Sequence, residues 1–301
     1  MLVPQSSPPS PPLPALLGLR ELAPRYDAFL VDLHGVIHDG TAPFDGAVAG
    51  LRELARASRR VVLLTNTSRS GDVVTLALAK MGIGPELYEA VISSGDVTRE
   101  ALLARDPALF DALPARPRAF HVGNPAFVPW LFEPDLGLHF TDDSREADLV
   151  VATGIVRDDA ALARTRAELA PLIARGLPLV CTNPDRVIPT AAGLTLGPGA
   201  IAATYAELGG RVFLYGKPHA PMYRSARELL GETPAERIVA VGDLLATDVR
   251  GARSAGIASV LVTATGGHAA TLGPAPSDVV QSALWASEGI APDMLLARFA
   301  W

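Results

Sequence analysis

The sequence predicts an α/β protein with a doubly wound parallel sheet and a second, smaller α/β unit inserted into it. Short, wholly apolar runs such as 28–31 and 61–64 alternate with segments of helical spacing such as 47–58. Strands that are apolar on both sides are typical of parallel sheets covered by helices on both faces. The same alternation returns in the last third of the chain, after a less regular stretch. That interruption predicts the insertion.

Each element follows from a local pattern. Apolar runs that stop at a polar residue predict strands, and apolar spacing of three to four residues predicts helices, with Gly82 and Gly176 as helix stops. The predicted strands cover 28–31, 61–64, 119–122, 148–152, 177–181, 212–215, 238–241 and 259–262. The predicted helices cover 47–58, 70–81, 159–175 and 247–255.

The domain organisation follows from composition and rhythm. Residues 1–17 are rich in proline and predict a flexible tail, because proline fixes φ and lacks the N–H group that packed elements need. Residues 18–95 and 210–301 are predicted to form one catalytic core. Residues 96–209 are predicted to form an inserted cap domain.

Composition excludes several classes of protein. The 301 residues carry 26 basic and 32 acidic side chains, for a net charge of −6, and no basic cluster stands out. We therefore expect neither a nucleic-acid partner nor a membrane partner. No apolar run reaches the roughly 20 residues that a membrane-spanning helix needs. The single cysteine, Cys181, cannot form an internal disulfide, so we expect a cytoplasmic protein.

Polar residues of one chemical kind follow three predicted strands. Asp32 and Thr65 each end a strand, and Asp243 and Asp248 follow a third. Parallel strands place their carboxyl ends at one edge of the sheet, where ligands bind. Carboxylate oxygens suit Mg²⁺, and Lys217, after another predicted strand, could add a cation. An aspartate beside such cations can attack phosphorus, so the cluster predicts phosphoryl transfer through an aspartyl-phosphate.

The order of these motifs resembles the haloacid-dehalogenase-like superfamily of hydrolases. Asp32-x-x-Gly-Val, Thr65-Asn66, Gly-Lys217-Pro and Gly-Asp243-x-x-x-Thr-Asp248 match its four motifs in sequence. The insertion between the second and third motifs matches the cap position of subclass IIA, the branch that resembles nitrophenyl phosphatases and nucleotidases. The run Thr-Asn-Pro-Asp at 182–185 is similar to the cap signature of that subclass.

The resemblance implies a role for each matching residue. It implies that Asp32 is the nucleophile and also binds metal, that Thr65 and Asn66 bind phosphate, and that Lys217 neutralises charge. It implies further Mg²⁺ ligands, which are Asp243, Asp248 and the backbone carbonyl of His34. The cap residues implied to face the substrate are Thr182, Asn183 and Asp185. The implied substrate is a small phosphorylated metabolite. Caps of this subclass often mediate dimers, which makes a homodimer a possible assembly.

One position departs from the family pattern. Phosphatases of this superfamily usually carry a second aspartate two residues after the nucleophile, which protonates the leaving oxygen and later activates water. This chain has His34 there. Histidine is a competent acid and base near neutral pH. Two interpretations stay open: His34 is the catalytic acid and base, or only its backbone matters.

The departure leaves two rivals to a Mg²⁺-dependent phosphatase. One is a catalytically weak protein that binds phosphate and metal. The other is a hydrolase of carbon–halogen or carbon–phosphorus bonds. The first of those bonds needs no metal, which Asp243 and Asp248 argue against. Enzymes for the second usually take a lysine from the cap, and residues 94–209 contain none.

Overall fold

The computed structural model describes residues 13–156, 158–190 and 193–301. Residues 1–12 of the predicted flexible tail lie outside the described part. The end of that predicted tail is ordered, because Ala15–Leu16 forms a short strand that pairs with Leu295 and Leu296.

The described strands fall into two parallel sheets and one hairpin. In chain order they are β1 (Ala15–Leu16), β2 (Ala28–Asp32), β3 (Arg60–Thr65), β4 (Ala90–Ser93), β5 (Arg118–Val122), β6 (His139–Phe140), β7 (Leu149–Ala152), β8 (Leu179–Cys181), β9 (Val187–Thr190), β10 (Gly193–Leu196), β11 (Val212–Leu214), β12 (Ile238–Gly242), β13 (Ala258–Val262) and β14 (Met294–Leu296).

Helices cover or connect these strands. In chain order they are α1 (Ala47–Arg56), α2 (Gly71–Lys80), α3 (Ser94–Leu103), α4 (Pro107–Phe110), α5 (Asp159–Ala174), α6 (Pro198–Glu207), α7 (Ala220–Leu230), α8 (Arg250–Ser254), α9 (Ala269–Leu272) and α10 (Asp278–Glu288). The helix predicted over 247–255 is shorter, because a wider turn over Leu245–Val249 precedes α8. Among these helices, none is long and apolar enough to span a membrane.

The larger sheet has seven parallel strands in the order β1-β14-β13-β12-β2-β3-β4. The chain runs outward from β2 in one direction and from β12 in the other, so the strand order reverses between these two neighbours. In open α/β sheets the ligand crevice lies at such a reversal, outside the carboxyl ends of the strands. The topology therefore places the expected site at the ends of β2 and β12.

Both faces of this sheet are buried, as the apolar runs predicted. Alternate residues of the central strands enter different clusters: Phe29 and Val31 pack on one face, and Leu30 on the other. The cluster that contains Leu30 also contains Val151 and Val180 from the second sheet. One apolar core therefore extends from the larger sheet into the inserted unit.

The inserted unit is built on five parallel strands in the order β11-β8-β7-β5-β6, and β9 and β10 form an antiparallel hairpin beside them. The predicted fold class, a doubly wound core with an inserted α/β unit, is confirmed. The domain boundaries at 95–96 and 209–210 stay a prediction. One strand lies beyond the second boundary but belongs to the inserted sheet.

That strand is β11, which the sequence assigned to the core. Val212–Leu214 instead pairs in parallel with β8, so residues beyond 210 complete the inserted sheet. The reason is the connection: the helix α6 precedes β11, and a right-handed strand–helix–strand crossover returns the chain beside the strand it left. The alternating pattern along the sequence cannot show which of two sheets receives the returning strand.

Candidate active site

The predicted motif residues converge where β2, β3 and β12 end. Asp32 is the last residue of β2 and lies in register with Leu64, so Thr65 ends β3 one residue further on. Val31 pairs with Val241 on β12, and Asp243 follows that strand directly. Parallel pairing thus fixes these side chains at one edge, as the sequence predicted.

Lys217 joins two of the carboxylates. Its side chain is 4% exposed, and its Nζ donates to Asp32 Oδ1 at 2.5 Å and to Asp248 Oδ1 at 2.7 Å. A third, longer contact joins Nζ to the carbonyl oxygen of Leu64 at 3.5 Å. Although Lys217 follows a strand of the inserted sheet, its ammonium lies in the cleft of the larger sheet. The neutralising role that the family resemblance implies for Lys217 stays a prediction.

Asp243 is held by backbone on two sides. Gly267 N–H donates to Asp243 Oδ2 at 2.6 Å. A Cβ atom at Gly266 would lie 2.1 Å from the same oxygen, and one at Gly35 would lie 2.4 Å from it. Only glycine fits at either position, since any side chain would displace the carboxylate. The sequence analysis missed Gly266 and Gly267, although a glycine pair shortly after an apolar strand was a visible signal.

Asp248 has both structural and site contacts. Its Oδ2 accepts from Leu244 N–H at 3.1 Å and from the Thr247 hydroxyl at 3.3 Å, while Oδ1 accepts from Lys217. The backbone contact satisfies an N–H group at the start of the helical turn, as aspartate commonly does there. One carboxylate therefore fixes the turn and faces the other acids.

Negative charge exceeds positive charge in this buried cluster. Burial raises the pKa of Asp243 well above its ordinary value, and the nearby charges of Asp32 and Asp248 raise it further. Burial likewise raises the pKa of Asp248, against the lowering effect of Lys217. Burial disfavours the Lys217 ammonium, yet Asp248 and Asp32 outweigh burial and raise its pKa well above its usual range. Three carboxylates face one ammonium, so the cluster carries an excess of negative charge that a further cation would neutralise.

The donor set fits a magnesium ion. Asp32, Asp243 and Asp248 each offer a carboxylate oxygen, and these oxygens lie within 4.8 Å of one another. Hard oxygen donors suit Mg²⁺, which binds through one or two carboxylates and keeps several waters. A divalent cation would also offset the excess negative charge that raises the pKa values of the acids.

Asn66 is the central polar residue beyond the acid cluster. Its Nδ2 donates to Asp185 Oδ1 at 2.8 Å and to the Lys217 carbonyl at 2.9 Å. Its Oδ1 accepts from Lys217 N–H at 2.8 Å. Asn66 therefore fixes the backbone of Lys217 and connects it to the inserted unit. Both N–H donors of the Asn66 amide are used within the protein. Of the two predicted phosphate ligands, the neighbouring Thr65 therefore has the more available donor, its hydroxyl.

The loop 66–69 connects the two sheets through side chains that the sequence did not single out. Ser68 Oγ and Thr182 Oγ1 share a hydrogen bond of 2.5 Å, and Trp130 Nε1 donates to the Ser68 carbonyl at 2.8 Å. Arg69 adds a cation–π contact over the Phe127 ring at 5.0 Å. No spacing in the sequence pairs these positions, because they meet only through tertiary packing.

The predicted cap residues do not all face the cleft. Thr182 is fully buried against Ser68, and Asn183 is 5% exposed with its Oδ1 accepting from Asp185 N–H at 2.9 Å. The expectation that the whole segment 182–185 faces the cleft is therefore wrong for the first two side chains. Polar groups in a buried loop must find partners within the protein, which turns both inward. Asp185 alone reaches towards the site, through Asn66.

The side chain of His34 points to its own loop. Its Nε2 lies 3.1 Å from the carbonyl oxygen of Asp39, and its ring meets that of His38 edge to face at 6.0 Å. Within the described residues no hydrogen bond joins the His34 ring to Asp32, Lys217 or Asp243. This geometry favours the interpretation in which only the His34 backbone contributes to the site.

The glycine beside Asp243 gives a test of the predicted ion site. Gly266→Ala should weaken Mg²⁺ binding at least about tenfold, because its Cβ would displace Asp243 Oδ2. Gly176→Ala is the matched control, since both glycines have φ +75 and a Cβ at Gly176 meets nothing within 4 Å. Both variants should lose about 1–2 kcal/mol for the left-handed backbone. Calorimetric titration with Mg²⁺ and thermal unfolding would separate the two effects, and equal Mg²⁺ affinities in both variants would contradict the placement.

Two family models match the chain in separate parts. The model described as haloacid dehalogenase-like hydrolase matches residues 29–133, and the model described as HAD-hydrolase-like matches residues 214–286. The first match includes the ends of β2 and β3, and the second includes Lys217, Asp243 and Asp248. The two models together therefore contain the four motifs of the acid cluster.

A curated relative is similar over most of the chain. D-glycerol 3-phosphate phosphatase from Mycobacterium tuberculosis is 29% identical over 245 residues, which cover 81% of this chain and 65% of that protein. The chain thus spans less than two thirds of the length of that relative.

Solved structures share the fold at greater coverage. A haloacid dehalogenase-like hydrolase from Brucella suis superposes with a TM-score of 0.78 at 29% identity, over 96% of this chain and all of that chain. The 4-nitrophenylphosphatase from Thermotoga maritima gives 0.68 at 25% identity, over 92% and 96%. A glycerol phosphate phosphatase from Mycobacterium tuberculosis in complex with magnesium gives 0.63 at 28% identity, over 82% and 71%.

The matched models contain the motif residues that the structure brings together, and the solved relatives share both the core and the inserted unit. The chain belongs to the haloacid dehalogenase-like hydrolases, as its four motifs predicted, and within them it resembles the nitrophenyl phosphatase branch of subclass IIA.

Proposed function

We propose that the protein is a Mg²⁺-dependent phosphatase that hydrolyses a small phosphate monoester through an aspartyl-phosphate. The observation that carries this proposal is the buried contact of Lys217 with Asp32 beside two further carboxylates. Relatives named as phosphatases for glycerol phosphate and nitrophenyl phosphate support it. We further propose, as the sequence predicted, that the substrate is a phosphorylated metabolite and that the enzyme acts in the cytoplasm.

The nucleophile is Asp32. Its carboxylate ends a rigid, fully buried strand, and one of its oxygens is held by Lys217 at 2.5 Å. The free oxygen attacks phosphorus, and a covalent intermediate splits one difficult substitution into two easier ones. Lys217 offsets the repulsion between this carboxylate and an incoming phosphate. Thr65 and the backbone N–H groups after β3 hold the phosphoryl oxygens as charge develops.

Asp32, Asp243 and Asp248 would hold the magnesium ion, together with the His34 carbonyl that the family resemblance implies. When bound, the ion neutralises charge on the phosphate oxygens. The inserted unit would act as the predicted cap, and the hydrogen bonds between its loops and residues 66–69 support this role. Covering the cleft excludes water and orients the ester.

Metal dependence is the direct test of this function. Chelation should abolish hydrolysis of 4-nitrophenyl phosphate, and added Mg²⁺ should restore it. Asp243→Ala should weaken Mg²⁺ binding more than Asp248→Ala, since Asp243 follows β12 directly and Lys217 already occupies one oxygen of Asp248. The measurements are steady-state turnover and calorimetric titration with Mg²⁺. Full turnover in the presence of excess chelator would refute the proposal.

A weakly catalytic protein that binds phosphate and metal is the second candidate. The observation that favours it is the His34 ring, which contacts Asp39 and His38 rather than the acid cluster. The same assay separates the two candidates. Binding of a phosphate analogue without turnover of nitrophenyl phosphate or of any phosphorylated metabolite in a panel would favour the second.

A further inference from the structure

Hydrolysis of an ester with a poor leaving group needs a proton donor, and the residues beside Asp32 on its own loop do not supply one. The His34 Nε2 atom is 3.1 Å from the Asp39 carbonyl. The carboxylate of Asp39 accepts three hydrogen bonds from Thr41 and Ala42 through Oδ1. Both side chains therefore stabilise the loop 34–42 itself. These contacts favour a donor from another element.

Asp185, on the loop after β8, is connected to the site through Asn66. Its Oδ1 accepts from Asn66 Nδ2 at 2.8 Å, Asn66 holds the backbone of Lys217, and the Lys217 ammonium touches Asp32. Two residues thus separate Asp185 from the nucleophile. In the described part of the chain, no hydrogen bond engages Asp185 Oδ2. One oxygen of this carboxyl is fixed and the other is available.

The surroundings of Asp185 favour a bound proton. Burial raises the pKa of its carboxyl to about 6, although the hydrogen bond from Asn66 and the charge of Lys217 lower it. The negative charges of Asp32 and Asp248 raise it further. A carboxyl in this range can hold a proton and release it near neutral pH, as a general acid requires.

We propose that Asp185 is the general acid and base of the reaction, in place of the residue at position 34. This inference rests on the proposed phosphatase function. In the first step the Asp32 oxygen bonds to phosphorus, the ester P–O bond breaks, and the leaving oxygen takes the proton from Asp185 Oδ2. In the second step water attacks the phosphorus of the aspartyl-phosphate. Its proton passes to Asp185, the bond to Asp32 breaks, and inorganic phosphate forms.

Asp185→Asn separates this role from mere positioning. Asparagine keeps an oxygen that can accept from Asn66 but has no proton to transfer. With phenyl phosphate, whose leaving group is poor, kcat/KM should fall about 10²-fold or more. With 4-nitrophenyl phosphate, which adds only a para-nitro group and has a good leaving group, the fall should stay below about tenfold. Asp185→Glu keeps the acid and should leave the ratio of the two substrates closer to wild type.

Two further readouts belong to a proton-transfer role alone. Asp185→Asn should release nitrophenol in a burst equal to the enzyme concentration, because the aspartyl-phosphate lacks its base and accumulates. The advantage of wild type over Asp185→Asn with phenyl phosphate should shrink as pH rises above about 6, where Asp185 loses its proton. The ester's own ionisation affects both proteins alike, so their ratio isolates Asp185.

The outcomes distinguish the inference from the function on which it rests. Wild type without phosphatase activity would overturn the proposed function. An active wild type whose Asp185→Asn variant loses nothing, or loses both substrates equally without a burst, would overturn the role of Asp185. His34→Ala is the rival variant: a tenfold fall in its ratio of phenyl to nitrophenyl turnover would assign the acid to His34. Thermal unfolding would verify that each variant is folded.

Discussion

Asp32→Asn should lower kcat by about 10⁴-fold while the protein stays folded. Asparagine fills the same space and still accepts a hydrogen bond from Lys217 Nζ through Oδ1. It carries no negative charge, so it is neither a nucleophile for phosphorus nor a strong ligand for Mg²⁺. The measurement is steady-state turnover of nitrophenyl phosphate beside thermal unfolding of the same preparation.

Stability provides the control for this variant. Asp32 is one of three clustered carboxylates, and the negative charges of these carboxylates repel one another. Removing one negative charge should leave the midpoint of unfolding in chelator no lower than in wild type. Retention of half the wild-type turnover would exclude the aspartyl-phosphate mechanism, whatever the stability.

Lys217→Met should damage both stability and turnover. The side chain is 4% exposed and is the cation that pairs with Asp32 and Asp248. Removing one partner of a buried ion pair leaves uncompensated charge and typically costs about 3–5 kcal/mol. Mg²⁺ should restore part of this loss, because it binds the same carboxylates in the folded state only. Turnover should fall by orders of magnitude, since the nucleophile would repel the phosphate.

The chain contains a matched control for Lys217. Its other lysine, Lys80, ends helix α2 and is exposed. Lys80→Met removes the same charge from the surface and should change the free energy of unfolding by less than about 0.5 kcal/mol. Denaturant unfolding of both variants, with chelator and with Mg²⁺, is the measurement. Equal stability of the two variants would mean that Lys217 is not paired in the buried cluster.

The position of the acid cluster was predictable because it depends on local pattern and strand direction. Asp32, Thr65 and Asp243 each end or follow a parallel strand, and parallel strands end at one edge. The orientation of His34 and the link from Asn66 to Asp185 were not predictable. They depend on which donor is nearest after the two sheets pack, and the partners of that link are separated by 119 positions in the sequence.

The strand β11 has a practical consequence for exchanging substrate preference between relatives. A transplant that takes only residues 96–209 would separate β8 from the strand Val212–Leu214 with which it pairs. The chimera would instead pair β8 of one parent with the strand at 212–214 of the other, and a poor fit there would open a strand edge, which promotes aggregation. Recombination junctions placed after Leu214, at Gly216, keep that pairing within one parent. A chimera joined there should be recovered from expression as a monodisperse protein, and one joined at 209 should not.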